Sequence, residues 1–249
     1  AFSYHNLALI LSEQGSFALA LEYYGKSLNI HEEIGDKRAM AITYNGIGVI
    51  YRNQDNIELA VVYYNKSLKI AMEMGDKRGM ALSYTNIGTS YKYTGDIPLA
   101  LANYEKSLKI NKEIGNKKGT AMTSNYIAQI ALKKGELTGP EGALVLATKS
   151  LLISQEMGYP RNIKDASGLL YRIYSKQGDF EKALEMRNLQ IQMRDSLTSE
   201  ENIKATANQK AQYEYEKQKA LDDKDHEKQL AIEKEEQEKQ QIIIYTTGA

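Results

Sequence analysis

Residues 33–41 read EIGDKRAMA, and nearly the same nine residues return as EMGDKRGMA at 73–81 and EIGNKKGTA at 113–121. A weaker copy, EMGYPRNIK, stands at 156–164, so the central glycines Gly35, Gly75, Gly115 and Gly158 are 40, 40 and 43 residues apart. Glycine in a short polar cluster marks a turn, and a turn recurring at this interval is the signature of a repeat architecture.

The register extends through each unit. Thirteen residues after the turn glycine comes a small residue, at Gly48, Gly88 and Ala128, with Ala8 in the first unit and Tyr171 breaking the rule in the last. Three residues later stand Tyr51, Tyr91 and Tyr174, replaced by Leu11 and Ala131 in the first and fourth units. A second turn follows at Gly15, Asp55, Gly95, Gly135 and Gly178, and then an alanine at Ala20, Ala60, Ala100, Ala143 and Ala183, the fourth reached after three extra residues. Between turns the apolar residues recur every three to four positions, as in Ile47, Ile50 and Tyr51 or Ala60, Tyr63, Tyr64 and Leu68, which is helical spacing. Small residues at fixed helical places let helices approach closely. Pro98, Pro140 and Pro160 fall at turns or in first helical turns, where a missing N–H is tolerated.

Each unit therefore reads as two antiparallel helices of about 17 residues, and the expected fold is an all-α, right-handed solenoid of five hairpins at 1–34, 35–74, 75–114, 115–157 and 158–197. The pattern of Gly48, Tyr51, Asp55, Ala60, Tyr64 and Ser67, repeated as Gly88, Tyr91, Gly95, Ala100, Tyr104 and Ser107, resembles the tetratricopeptide repeat family. Two departures stand out. The unit is 40 residues instead of the family's usual 34, and alanine, leucine or methionine replaces the customary tryptophan early in the first helix.

Composition narrows the chemistry. The chain of 249 residues has no cysteine, which excludes disulfides, thiolate catalysis and cysteine-bound metal. Its 32 basic and 32 acidic residues cancel, so no global field favours nucleic acid or an anionic membrane. Eighteen tyrosines beside three phenylalanines suggest amphipathic aromatics at recurring half-buried positions, and Tyr51, Tyr91, Tyr104 and Tyr174 are assigned to the core rather than to ligand stacking. Phosphate-binding glycine loops, zinc-protease and serine-hydrolase motifs are absent from the sequence. His5, His31 and His226 have no histidine partner at ligand spacing, and Asp222, Asp223 and Asp225 lack the glycine turn of a calcium loop. No catalytic, cofactor or metal site is assigned.

After residue 197 the repeat stops. Residues 201–240 carry 11 acidic and 8 basic residues and no glycine or proline, with pairs such as Glu214 and Lys217 or Glu235 and Lys239 favouring a long helix over 198–240. It reads as an exposed single helix, a dimerising or signalling helix, or a tail folded along the solenoid. The apolar end at 241–249, beginning QIIIY, reads as the possible start of a cut membrane span. Repeats, charged helix and apolar end in this order resemble the sensor region of bacterial tetratricopeptide-containing membrane histidine kinases and related receptors. That resemblance implies a non-catalytic sensory region on the extracytoplasmic, periplasmic side and an output module beyond the C-terminal helix, which, read as a dimerising helix, would give a homodimer. A soluble cytoplasmic scaffold is the alternative.

For binding, the concave face lined by first helices is the candidate. By register it presents His5, Leu9, Ser12 and Glu13; Asn45, Val49, Arg52 and Asn53; Thr85, Thr89, Lys92 and Tyr93; Asn125, Gln129, Leu132 and Lys133; and Arg172, Ser175 and Lys176. Amides suit a peptide backbone, and the basic residues favour an acidic segment. The competing reading is an ordinary solvated face.

Overall fold

Every polar turn of the sequence is a junction between helices. The computed structural model describes residues 2–139, 142–201 and 203. Its helices are α1 (Phe2–Glu13), α2 (Phe17–Glu33), α3 (Lys37–Asn53), α4 (Ile57–Glu73), α5 (Lys77–Thr94), α6 (Ile97–Glu113), α7 (Lys117–Lys134), α8 (Ala143–Glu156) and α9 (Pro160–Gln177). Residues 180–194 continue as helix within the same compact unit, and no strand occurs among the described residues. Residues 195–201 and 203 are helical and belong to a second unit. The charged run and apolar end predicted beyond residue 203 lie outside the described residues.

The turns are built from two chemical devices. Gly35, Gly75 and Gly115 adopt φ of +70°, +65° and +64°, the left-handed conformation that ends a helix. The next residue then caps the following helix: the Oδ1 atoms of Asp36, Asp76 and Asn116 accept from the backbone N–H of Ala39, Gly79 and Gly119 at 3.0, 3.0 and 3.1 Å. Each such cap is worth about 1 kcal/mol. Inside the hairpins Asn56 and Asp96 cap α4 and α6 in the same way. At the open end of the second, third and fourth hairpins the first residue of one helix pairs with the last of the next: Lys37 with Glu73, Lys77 with Glu113 and Lys117 with Glu156.

Consecutive helices pack on one another, and α1, α3, α5, α7 and α9 also touch in sequence, whereas no two of α2, α4, α6 and α8 do. The first helices therefore form an inner row from which the second helices splay, and the inner row is the concave face.

The core follows the register. Tyr24, Tyr64 and Tyr104, one per hairpin and 40 residues apart, are fully buried, and the small residue on the partner helix leaves their room: a Cβ on Gly88 would lie 2.9 Å from the Tyr104 ring. Between the helices runs a seam of buried hydroxyls, in which Ser83 Oγ donates to Ser67 Oγ at 3.3 Å and Ser107 Oγ to the Ala81 carbonyl at 2.8 Å. Of the tyrosines assigned to the core from sequence, Tyr104 is buried, whereas Tyr51, Tyr91 and Tyr174 are half-buried at its edge. The last hairpin moves its close approach one turn earlier. Gly168, where a Cβ would meet Gln190 at 2.3 Å, does the work that Tyr171 does not.

Candidate functional site

Successive first helices bring their side chains together in columns 40 residues apart. One column holds Asn45, Thr85 and Asn125, and the structure divides them. Asn45 is partly exposed and accepts from Asn86 Nδ2 at 2.7 Å. Thr85 and Asn125 are buried, which corrects their assignment to an open surface. Thr85 Oγ1 donates to the Ala81 carbonyl and lies 2.7 Å from Ser107 Oγ, so it belongs to the hydroxyl seam. Asn125 Oδ1 is buried with no hydrogen-bond partner among the described residues. Leu132 is likewise interior, because its position faces the hairpin core rather than the groove.

The next column is the floor. Thr89 Oγ1 donates to the Thr85 carbonyl at 2.9 Å and receives the Tyr104 hydroxyl at 3.1 Å. Its equivalent one repeat earlier is Val49, which has no oxygen to offer, and the Tyr64 hydroxyl is buried without a partner among the described residues. Burial pushes the phenols of Tyr64 and Tyr104 up to about 12, against a smaller opposing pull from the Arg52 charge. Tyr126 is raised by burial and by the Asp165 carboxylate, again with Arg52 pulling the other way. Arg52 thus stands close enough to act on three hydroxyls, and it has no hydrogen bond or ion pair among the described residues.

Lys92, equivalent to Arg52, is half-buried. Its Nζ donates to Gln129 Oε1 at 3.0 Å and lies 5.1 Å from the centroid of the Tyr126 ring, with no carboxylate among the described residues to balance it. Burial lowers its pKa. Tyr93 is exposed and donates to Asp55 Oδ1 at 2.7 Å, tying two neighbouring hairpins at the groove edge. Asn53, Lys133, Arg172 and Lys176 are exposed, while Val49, Gln129 and Ser175 are partly so.

At the N-terminal end Leu9 and Glu13 are exposed and Ser12 partly so. The His5 ring packs edge-on against Tyr24, its Nδ1 is 3.3 Å from Thr43 Oγ1, and its pKa is lowered by burial and by His31. His31 is buried, with Nδ1 3.7 Å from Asp36 Oδ2. No group of three or more His, Cys, Asp or Glu residues able to hold a metal ion occurs among the described residues. His226, Asp222, Asp223 and Asp225 lie outside them.

Sequence reasoning missed Asn86 and Tyr126. Both lie one place after the amide column, where the first equivalent is Gly46, so a column running glycine, asparagine, tyrosine gives no repeated chemical signal.

Residues 1–73 and 81–114 each match a family model described as tetratricopeptide repeat. These hairpins are tetratricopeptide repeats. Solved structures share the architecture. BtubC (BKLC) from P. vanneervenii superposes with a TM-score of 0.66 at 20% identity, over 77% of this chain and 78% of that one. A Rap protein complexed with competence and sporulation factor gives 0.64 at 17% identity, over 76% of this chain and 52% of the Rap chain. The TPR-like repeats of a Podosopora anserina putative kinesin light chain give 0.59 at 15% identity, over 78% and 95%. At these identities the likeness is one of fold. No curated protein matches the chain. Among the described residues no helix is long and apolar enough to cross a membrane.

Proposed function

We propose that the tetratricopeptide solenoid is a non-catalytic recognition module whose concave face takes an extended, acidic peptide segment of a partner protein. The observation that carries this reading is the pair Arg52 and Lys92. They are successive cations in one column of the inner row, in front of buried tyrosine hydroxyls, and no carboxylate among the described residues neutralises either. An unbalanced, partly desolvated cation favours an anionic ligand, and arginine adds bidentate geometry for a carboxylate. The amides of Asn45 and Asn86 supply the donor and acceptor that a peptide backbone needs. The Rap protein of similar fold was solved with competence and sporulation factor bound, which supports a ligand-binding role for such a solenoid.

The order of repeats, charged run and apolar QIIIY at 241–245 supports placing this module on the extracytoplasmic side of a bacterial membrane receptor, with a homodimer through the charged segment relaying binding to an output domain. A cytoplasmic scaffold would use the same groove.

The groove is tested by peptide-array binding with Arg52→Glu and Lys92→Glu, each checked for native helicity. Acidic peptides captured by the parent should be lost by both variants. Retention of every captured peptide would remove the groove from consideration. The membrane placement is tested separately by topology reporters fused after residue 197 of the full-length protein; reporter activity on the cytoplasmic side alone would exclude it.

A further inference from the structure

One column of lysines on the second helices rests on tyrosine rings. Lys26 lies 4.9 Å from the centroid of Tyr23, Lys66 is 4.8 Å from Tyr63 and 5.4 Å from Tyr44, and Lys106 is 5.4 Å from Tyr84. The three are 40 residues apart, and the three-residue insertion makes Lys149 the next in the column. The rings beneath them fill the space between successive hairpins: Tyr84, for example, packs on the cluster that holds Leu68 and Ile87.

The fourth hairpin keeps the lysine and loses the rings. The place of Tyr44 and Tyr84 is taken by Ser124, and that of Tyr23 and Tyr63 by Leu146. In the same hairpin a cleft of about 740 Å³, with Leu146 in its lining, lies between α6, α7 and α8. At its base are buried Leu108 and Ile127, the equivalents of Leu68 and Ile87, together with Leu146, and exposed Lys109, Lys112 and Lys149 line it. Ser124 is fully buried and its Oγ has no hydrogen-bond partner among the described residues, a polar atom where the first three hairpins have Tyr4, Tyr44 and Tyr84. None of the three lysines forms an ion pair among the described residues, and of the two acids lining the cleft, Glu105 and Glu113, the second is held by Lys77. Val145, at the cleft's edge, and Leu152, beyond it on α8, are exposed to solvent at 45% and 61%.

We propose that this cleft is a second binding site, separate from the concave groove, which receives an aromatic side chain presented by an acidic segment of a partner protein. The ring rests on Leu108, Ile127 and Leu146 at the base of the cleft, and Lys149 meets its face as Lys26, Lys66 and Lys106 meet theirs. Flanking carboxylates meet Lys109 and Lys112, and neighbouring apolar residues of the partner cover Val145 and Leu152. A buried aromatic anchor within a charged surround is the usual energetic centre of a small interface, and the volume lies in the range of ligand sites.

The chain has no tryptophan, so the emission of a bound tryptophan peptide reports on the site directly. The probe is the peptide Glu-Glu-Trp-Glu-Glu titrated with the whole chain. A saturable blue shift of its emission is expected, retained when Arg52→Glu removes the share that the concave groove takes of an acidic peptide, weakened at least fivefold by adding Lys149→Glu to that background, and abolished by Ser124→Tyr, which places there the ring that Tyr84 carries one hairpin earlier. Should Ser124→Tyr lose its helical circular dichroism, Lys149→Glu decides alone. Absence of a saturable shift, or equal affinity with and without Lys149→Glu in the Arg52→Glu background, overturns the proposal. Loss in Arg52→Glu instead would return the peptide to the concave groove, and a dimer dispersed by Lys149→Glu without any peptide binding would assign the cleft to a second copy of the chain; both outcomes also overturn it.

Discussion

A Cβ on Gly48 would stand 2.6 Å from the ring of Tyr64 in the same hairpin, well inside the distance at which packed carbon atoms attract. Tyr64 is fully buried, so its ring has no free direction to yield. Ala8 in the first hairpin shares a core cluster with Tyr24, which shows that one methyl is accommodated where neighbours adjust. A branched side chain is not. Gly48→Val should lower stability by about 3 kcal/mol in urea denaturation, and adding Tyr64→Leu should recover part of that loss. The same loss with and without Tyr64→Leu would show that the ring is not what the valine meets.

Tyrosines at one register position should respond oppositely to removal of the hydroxyl. Tyr104 Oη donates to Thr89, so Tyr104→Phe loses a bond and should cost about 1 kcal/mol. Tyr64 Oη is buried with no partner among the described residues because its neighbour is Val49, so Tyr64→Phe relieves an unsatisfied group and should stabilise by roughly 1 kcal/mol. Val49→Thr should reverse the second result by giving Tyr64 the partner that Tyr104 has. Destabilisation of comparable size in both phenylalanine variants would contradict the assignment.

Both phenols also set a limit at high pH. Burial raises each to about 12 in the folded chain, whereas the unfolded chain ionises near 10.0. Between these values the unfolded state holds fewer protons, so their contribution is complete below pH 10 and is lost as pH rises toward 12. Each shift corresponds to a loss on the order of 2–3 kcal/mol over that window. The urea midpoint of the parent should therefore fall more between pH 9 and pH 11.5 than that of a Tyr64→Phe, Tyr104→Phe double variant. Parallel falls would place the alkaline sensitivity elsewhere.

What the sequence disclosed and what it withheld divide along a physical line. The hairpins were legible because turn glycines, their following Asp36, Asp76 or Asn116, and the Gly48 and Gly88 gaps each recur in register, and a repeated steric demand leaves a repeated letter. The groove was legible only as a face. Thr85 and Asn125 share a column with Asn45, yet small changes in neighbouring bulk bury two of the three. Tyr126 beneath Lys92 and Leu146 in the cleft between α6 and α8 arise where the register breaks, and a single substitution within a repeat carries no period to reveal it.

Lys92 should show function held at the expense of stability. It is half-buried without a carboxylate, and burial lowers its pKa, so at neutral pH the folded chain carries a charge that its surroundings disfavour. For a lysine shifted this way the unfolded state binds more protons between the lowered value and 10.5, so the penalty is full at lower pH and is relieved as pH rises through that interval. Lys92→Met keeps the stem over Tyr126 and removes the charge. Its urea midpoint should exceed that of the parent at pH 7, with the advantage narrowing as pH approaches 10.5, while binding of acidic peptides to the groove falls at least tenfold. A variant that is more stable but binds equally well would leave Lys92 a structural residue and shift the recognition of acid to Arg52 alone.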